Sequence, residues 1–350
     1  MPAGMRKSRF GRRRFGRMLT AMTPGLITRR RSLILAAGAL AAPPALALAA
    51  SDSVRTLPEA QFTPENAEDD LVAMEDRLRR MTAPVMINGM GPFDFVVDTG
   101  TNRSVLSDEL VAELGLAHGQ EVRVHGIAGE RDAQTAAVDR FGVGGRVARR
   151  LTMPCLPQRW LGGAGLLGVD GLKNQRVVLE LQKQRLRIEP SSTAPREAGG
   201  SVIRARRRYG QLTVVDTDLS GVQVSVMIDT GAEVTIGNSA LRRAVERRVA
   251  PAAPGPAVIQ GATGEKFVGE YGVVPQFRMG SLKISNLRVV YADLHPFRLW
   301  DLTEKPAMLM AMDVIRFFEV LSVDFGRDQV RFDLPAQPFI DPAGTFRPLT

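Results

Sequence analysis

The stretch Phe95-Val96-Val97-Asp98-Thr99-Gly100-Thr101 decides the reading, because it has a twin at Val226-Met227-Ile228-Asp229-Thr230-Gly231-Ala232. Each copy is three apolar residues, then Asp-Thr-Gly, then a small residue. A hydrophobic strand ending in a carboxylate sets a costly charge at the margin of a core, where partners or function must compensate it. One copy alone would read as a turn at a strand end, where Asp and Gly are common. Two copies 131 residues apart point to two carboxylates brought face to face.

The flanks repeat as well. Asn88-Gly89 is a hairpin signal before Phe93–Val97, and Ser220-Gly221 precedes Val224–Ile228 in the same way. Each motif is followed by a short helix signal, opened by Ser107-Asp108-Glu109 and closed at Gly115 in one copy, opened by Asn238-Ser239 in the other. Glycine-rich hairpin tips come next, Gly126-Ile127-Ala128-Gly129 and Gly261-Ala262-Thr263-Gly264. Phe141–Gly144 answers Phe277–Gly280, and Leu166-Leu167-Gly168-Val169-Asp170 answers Leu309-Met310-Ala311-Met312-Asp313. Five landmarks recur in one order, the mark of a duplicated domain.

This doubled, ordered set resembles the retropepsin-like aspartic proteases, in particular bacterial single-chain members with two repeats. The resemblance covers roughly residues 81–335. It implies an all-β fold in which two homologous β-barrel repeats face each other as a pseudo-dimer, with few short helices. It implies Asp98 and Asp229 as the catalytic pair, with Thr99 and Thr230 clasping each other's loops. Gly100, Thr101, Gly231 and Ala232 would support the active-site loops. The tips at Gly126 and Gly129, and at Gly261 and Gly264, would be flaps over the substrate. One departure stands out: the family's glycine in the last landmark is Gly168 in the first repeat but Ala311 in the second, where a methyl would crowd the loop.

Composition bounds the rest. The net charge of +9 would suggest an anionic partner, but residues 1–50 carry ten Lys or Arg and no acid. Beyond residue 50 the balance is 36 basic against 37 acidic residues, so no nucleic-acid partner is expected. The first fifty residues read as a twin-arginine-type signal peptide, with Arg30-Arg31-Ser32-Leu33-Ile34, an apolar run and Ala47-Leu48-Ala49 as a cleavage site. The expected location is therefore periplasmic or extracellular, with membrane attachment only through an uncleaved leader. Cys155 is the one cysteine, so no internal disulfide forms, and it reads as a buried small hydrophobe.

Residues 51–80 read as an N-terminal stalk, helical over Ala73–Met81. Repeat one is expected over 81–190, a linker over 191–201, repeat two over 202–335 and a tail over 336–350. Gly163–Gly168 fits G-x-G-x-x-G but lacks the following helix that a nucleotide site needs. His118, His125 and His295 lack metal-ligand spacing, so neither a metal nor any other cofactor is expected. The arginines at 204, 206, 207 and 208, and at 242, 243, 247 and 248, read as solvated faces.

Two carboxyls that cannot both ionise cheaply share a proton, and such a pair can activate water against an amide. The expected function is thus an aspartic endopeptidase acting on a polypeptide of the envelope or exterior. Because both half-sites lie in one chain, a monomer is expected. Two other classes stay open: an inactive peptide-binding module on the same fold, and a structural protein of the envelope. Thr101 and Ala232 differ between otherwise parallel loops. A Thr101 hydroxyl donating to Asp98 would make Asp98 the more acidic member and Asp229 the proton holder.

Overall fold

The computed structural model describes residues 57–335, apart from 58–59, 66–69, 73, 76–79, 128, 171, 173, 195–199, 209–210, 215–216, 249–254 and 281. The leader and the C-terminal tail expected from the sequence lie outside the described residues.

Asn88 and Gly89 have φ of 52° and 83°, the left-handed pair that a two-residue hairpin turn of matching twist requires. They join Met81–Ile87 to Met90–Val97. Ser220 and Gly221, with φ of 51° and 81°, make the corresponding turn in the second repeat. In the first repeat these two strands continue a closed six-stranded barrel. Met90–Val97 pairs with Gly165–Leu167, then come Val105–Ser107, Arg146–Leu156 and Thr135–Val143, and the last pairs back to Met81–Ile87. Its interior is filled by Phe95 and Phe141, edge to face at 5.7 Å, with Val85, Ile87 and Leu106.

The second repeat has the same order. Ser225–Ile228 pairs in parallel with Ala307–Met310, followed by Ile236–Gly237, Leu282–Tyr291 and Lys266–Met279. The wall formed by Met81–Ile87 in the first repeat is here two strands. Gln211–Val214 pairs with Ser225–Ile228, and Thr217–Leu219 pairs with Lys266–Met279. The duplication read from the landmarks is therefore a duplication of topology.

A shared sheet joins the repeats. Each repeat ends in a hairpin, Gln175–Glu180 with Arg185–Pro190 and Val320–Asp324 with Gln329–Asp333. The inner strands pair antiparallel from Arg176↔Asp324 to Glu180↔Val320, which puts Val178 opposite Ser322 at the centre. Arg176 is buried there, 2.6 Å from Glu189 and 3.7 Å from Asp324 of the other repeat. Breaking such a buried charge set by removing one partner is costly, so it ties the two hairpins to one register.

Where the sequence suggests a stalk, the chain adds strands to this body. Thr63–Pro64 pairs with Arg146–Leu156, Asp70–Val72 with Arg185–Pro190, and Met74–Glu75 with Met81–Ile87. Ala60 is buried and Phe62 packs on Phe141 at 5.9 Å. The helix expected over Ala73–Met81 is not formed at Met74–Glu75 or Met81. Exposed sheet edges offer those residues backbone partners, and tertiary pairing overrides helix propensity. Five short helices occur among the described residues, the longest being Ser239–Glu246. Ser107 and Asn238 cap two of them by accepting from Leu110 and Leu241, as their sequence positions predict. No helix among the described residues is long and apolar enough to cross a membrane.

Candidate active site

The strands Met90–Val97 and Ser225–Ile228 deliver Asp98 and Asp229 to one place between the repeats. Each aspartate is fixed by its own backbone N–H donating to the strand beside it, Asp98 to Leu167 at 2.9 Å and Asp229 to Met310 at 3.0 Å. Each inner carboxyl oxygen then accepts from the following loop. Gly100 N–H donates to Asp98 Oδ1 at 2.8 Å, Gly231 N–H to Asp229 Oδ1 at 2.9 Å, and Ala232 N–H to the same oxygen at 3.0 Å. Each carboxyl also stands against the other repeat's loop. Glycine is required beside them, since a Cβ on Gly100 would fall 2.3 Å from Asp229 Cγ and one on Gly231 would fall 2.3 Å from Asp98 Cγ.

Under the pair, Thr99 and Thr230 exchange hydrogen bonds across the interface. Thr99 N–H donates to Thr230 Oγ1 at 3.1 Å and Thr230 N–H to Thr99 Oγ1 at 3.2 Å. The hydroxyls pass their own protons to the opposite strands, Thr99 to Ile228 O at 2.9 Å and Thr230 to Val97 O at 2.7 Å. The two loops therefore cannot shift independently.

A second pair of supports escaped the sequence reading. Ser104 donates from both N–H and hydroxyl to Asp170 Oδ1, and Thr235 does so to the two oxygens of Asp313. Ser104 and Thr235 are 131 residues apart, like the aspartates, and that shared offset is the signal that could have found them. The same hydroxyls accept the backbone N–H of Gly168 and of Ala311, each at 3.1 Å. The Ala311 methyl, expected to crowd its loop, leaves this bond in place. At Gly168 itself a Cβ would lie 2.6 Å from the Arg103 backbone carbon.

Burial pushes both carboxyls above the usual range. Asp98 is raised less, because the Gly100 amide and the Arg80 guanidinium favour its charged form. Asp229 is raised well above its ordinary value by burial and by the Asp98 charge. The Thr101 hydroxyl does not have the role expected of it: it donates to the Arg103 carbonyl at 3.2 Å. Arg80 takes that role, and no sequence signal marks it. It is buried, and its guanidinium donates to Gly231 O at 3.2 Å and Leu161 O at 2.8 Å.

The glycine-tipped hairpins meet, and the first shares a cleft with Asp229. The first runs Val122–His125 to Glu130–Ala133, closed by Gly126 N–H donating to Gly129 O at 2.7 Å. The second joins Pro256–Gln260 to Lys266–Met279, with Gly264 N–H donating to Gly261 O at 2.9 Å. The tips touch, since a Cβ on Gly126 would meet Thr263 Oγ1 at 2.2 Å, and Gly264 lies against Trp160 of the first repeat. Gly129 has open space around it. Each hairpin reaches the opposite repeat: Ile127 packs against the cluster that holds Met227, Trp300 and Leu309, and Ala262 against the one that holds Val96, Leu161 and Leu166. Beneath the first flap is a cleft of about 440 Å³ lined by Asp229, Gly100 and Thr101 together with Val105, Val122, Ile127, Met227 and Trp300. An apolar cleft with a few convergent polar groups is the usual form of a binding site.

One further placement differs from expectation and one agrees with it. His125 and His295, dismissed on spacing, stand side by side with Nδ1 and Nε2 2.9 Å apart. Cys155 is buried as expected, and burial pushes its thiol up to about 12.

A family model described as Aspartyl protease matches residues 83–170 and 215–314, once in each repeat and over more than half of the chain. No curated protein matches the sequence. The paired matches fall on the two halves that the strands, turns and Asp-Thr-Gly loops already set in correspondence. The chain belongs to the aspartyl protease family, as a duplicated retropepsin-like protein with both halves in one polypeptide.

Proposed function

We propose that this protein is an aspartic endopeptidase in which Asp98 and Asp229 activate one water against a peptide bond. The observation that carries the reading is the meeting of the two carboxyls, one from each repeat, each against the other loop's glycine, with Asp229 lining the cleft. Two buried carboxyls in contact retain one proton between them over the pH range where separate carboxyls are ionised. Asp98, favoured in its charged form by Arg80 and Gly100, takes a proton from the water. Asp229 holds the shared proton and donates it toward the substrate carbonyl oxygen. The water oxygen bonds to the carbonyl carbon, giving a tetrahedral diol. Asp98 then gives its proton to the nitrogen while Asp229 takes one from a diol hydroxyl, so the C–N bond breaks, a carboxylic acid and an amine form, and both carboxyls return to their starting states.

The flaps give an extended peptide edges to bond along and keep bulk water out of the cleft. A monomer suffices in this reading because each chain supplies both loops. Export is part of the proposal, motivated by Arg30-Arg31 ahead of an apolar run. Replacing both arginines by Lys should leave unprocessed precursor in the cytoplasm, and unchanged processing would remove export by that route from the proposal.

Incubating the purified chain with a degenerate peptide library tests the activity directly. Cleavage blocked by a statine-type mimic of the diol, with activity strictly proportional to enzyme concentration, is the expected result. A chain that binds peptides and raises its Tm with them, yet cleaves none between pH 3 and pH 8, would make it a binding module instead.

A further inference from the structure

We propose that His125, Glu130 and His295 form a zinc site that clamps the first flap to the second repeat. His125 and Glu130 are the cross-strand pair at the end of the first flap hairpin. His295 opens the helix His295–Leu299, 170 residues away in sequence. One ligand atom from each of the three lies within 4.8 Å of the other two, and Glu130 Oε2 is 3.5 Å from His125 Nδ1.

The geometry is close to what zinc needs. Tetrahedral zinc bonded at about 2.0–2.1 Å holds two nitrogens roughly 3.3 Å apart. His125 Nδ1 and His295 Nε2 face each other at 2.9 Å in near-parallel rings at 6°, sharing one proton that a metal would replace. Admitting the ion parts the two nitrogens and turns the exposed His125 ring so that both lone pairs meet it. The flap is already seated for this, because His295 N–H donates to Ile127 O at 3.0 Å. Two imidazoles and one carboxylate favour zinc over magnesium or calcium. The side chains of His125 and Glu130 are 36% and 45% exposed, which leaves a fourth position for water.

Two arginines surround the cluster and act in opposite senses. Arg123 donates to Glu130 Oε1 at 3.4 Å and leaves Oε2 for a metal. Arg298 Nη2 donates to His295 Nδ1 at 3.2 Å. Arginine cannot accept, so this bond puts the ring proton on Nε2, the nitrogen a metal would need. Zinc at Nε2 requires the other tautomer and hence the exposed Arg298 side chain to turn away. Arg298 thus weakens the site and makes the clamp reversible. With zinc bound, the flap is held shut across the cleft.

The test titrates zinc chloride into the chelator-stripped full-length protein, by calorimetry and by thermal unfolding. One zinc per chain with a raised Tm is expected, and magnesium should give neither. His125→Ala and His295→Ala should each weaken zinc binding about 100-fold or more, while Arg298→Glu, which supplies an acceptor for Nδ1–H, should tighten it about tenfold. Asp98→Asn should leave zinc affinity unchanged, so the readout stands apart from any peptidase activity. Zinc binding that survives the double His125→Ala/His295→Ala replacement, that Asp98→Asn abolishes, or that Arg298→Glu fails to tighten would overturn the assignment.

Discussion

Gly231 faces Asp98 so closely that a Cβ on the glycine would lie 2.3 Å from the carboxyl carbon. The reciprocal relation, Gly100 against Asp229, has the same 2.3 Å separation. Each half of the molecule therefore completes its loop with a residue that makes room for the other half's acid. Gly231→Ala should push the carboxyls apart by more than the threonine exchange beneath them can absorb. A misplacement of about 1 Å costs about 100-fold in rate, so kcat should fall at least that far. Steady-state kinetics on any peptide the wild type cleaves would check it, with circular dichroism confirming that the fold persists.

Removing a hydroxyl from the threonine exchange leaves a buried amide without its acceptor. Thr99→Val keeps the shape but strands Thr230 N–H, so unfolding free energy should drop by about 1–3 kcal/mol. Thr99→Ser should lose less. Because the two threonines bond each other, Thr99→Val/Thr230→Val should cost less than the sum of the single changes. Urea unfolding of the three variants measures this.

The burial of Asp229 makes stability depend on pH. Its folded pKa lies well above the unfolded value, so the folded state holds the proton more tightly. Stability from this group is fully present below the unfolded value of 3.8 and is lost as pH rises through the folded value. Asp229→Asn keeps the acceptor for Gly231 and Ala232 but never ionises. Its Tm should exceed that of the wild type near neutral pH, and the difference should shrink toward pH 3. Thermal scans across that range would show a constant difference if burial were not the cause.

Arg80 favours the charged form of Asp98, so its removal should make ionisation harder. Arg80→Met should move the acidic limb of the kcat/KM profile to higher pH. Thr101→Ala should leave that limb in place, since the hydroxyl donates to Arg103 O. A pH–rate profile in which Thr101→Ala shifts the limb and Arg80→Met does not would reverse the two roles.

Local signals in the sequence carried the duplicated part of this structure. The turns at Asn88-Gly89 and Ser220-Gly221, the caps Ser107 and Asn238 and both Asp-Thr-Gly loops are short-range patterns, and each forms as read. What stayed hidden depends on long-range contact. Arg80 looks like the end of the N-terminal stalk and acquires a role only when Gly231 and Leu161 come to it. The residues before it become strands because sheet edges elsewhere in the chain are open to them. His125 and His295 meet across 170 residues, so no spacing rule applies to them.

The central claim is that the two aspartates act as one unit, and a double-mutant cycle on kcat/KM tests it most directly. Asp98→Asn and Asp229→Asn should each reduce peptide cleavage about 1,000-fold or more, and the double variant should be no worse than either single one. Independent, multiplying losses, or near-full activity in either single variant, would contradict a shared pair.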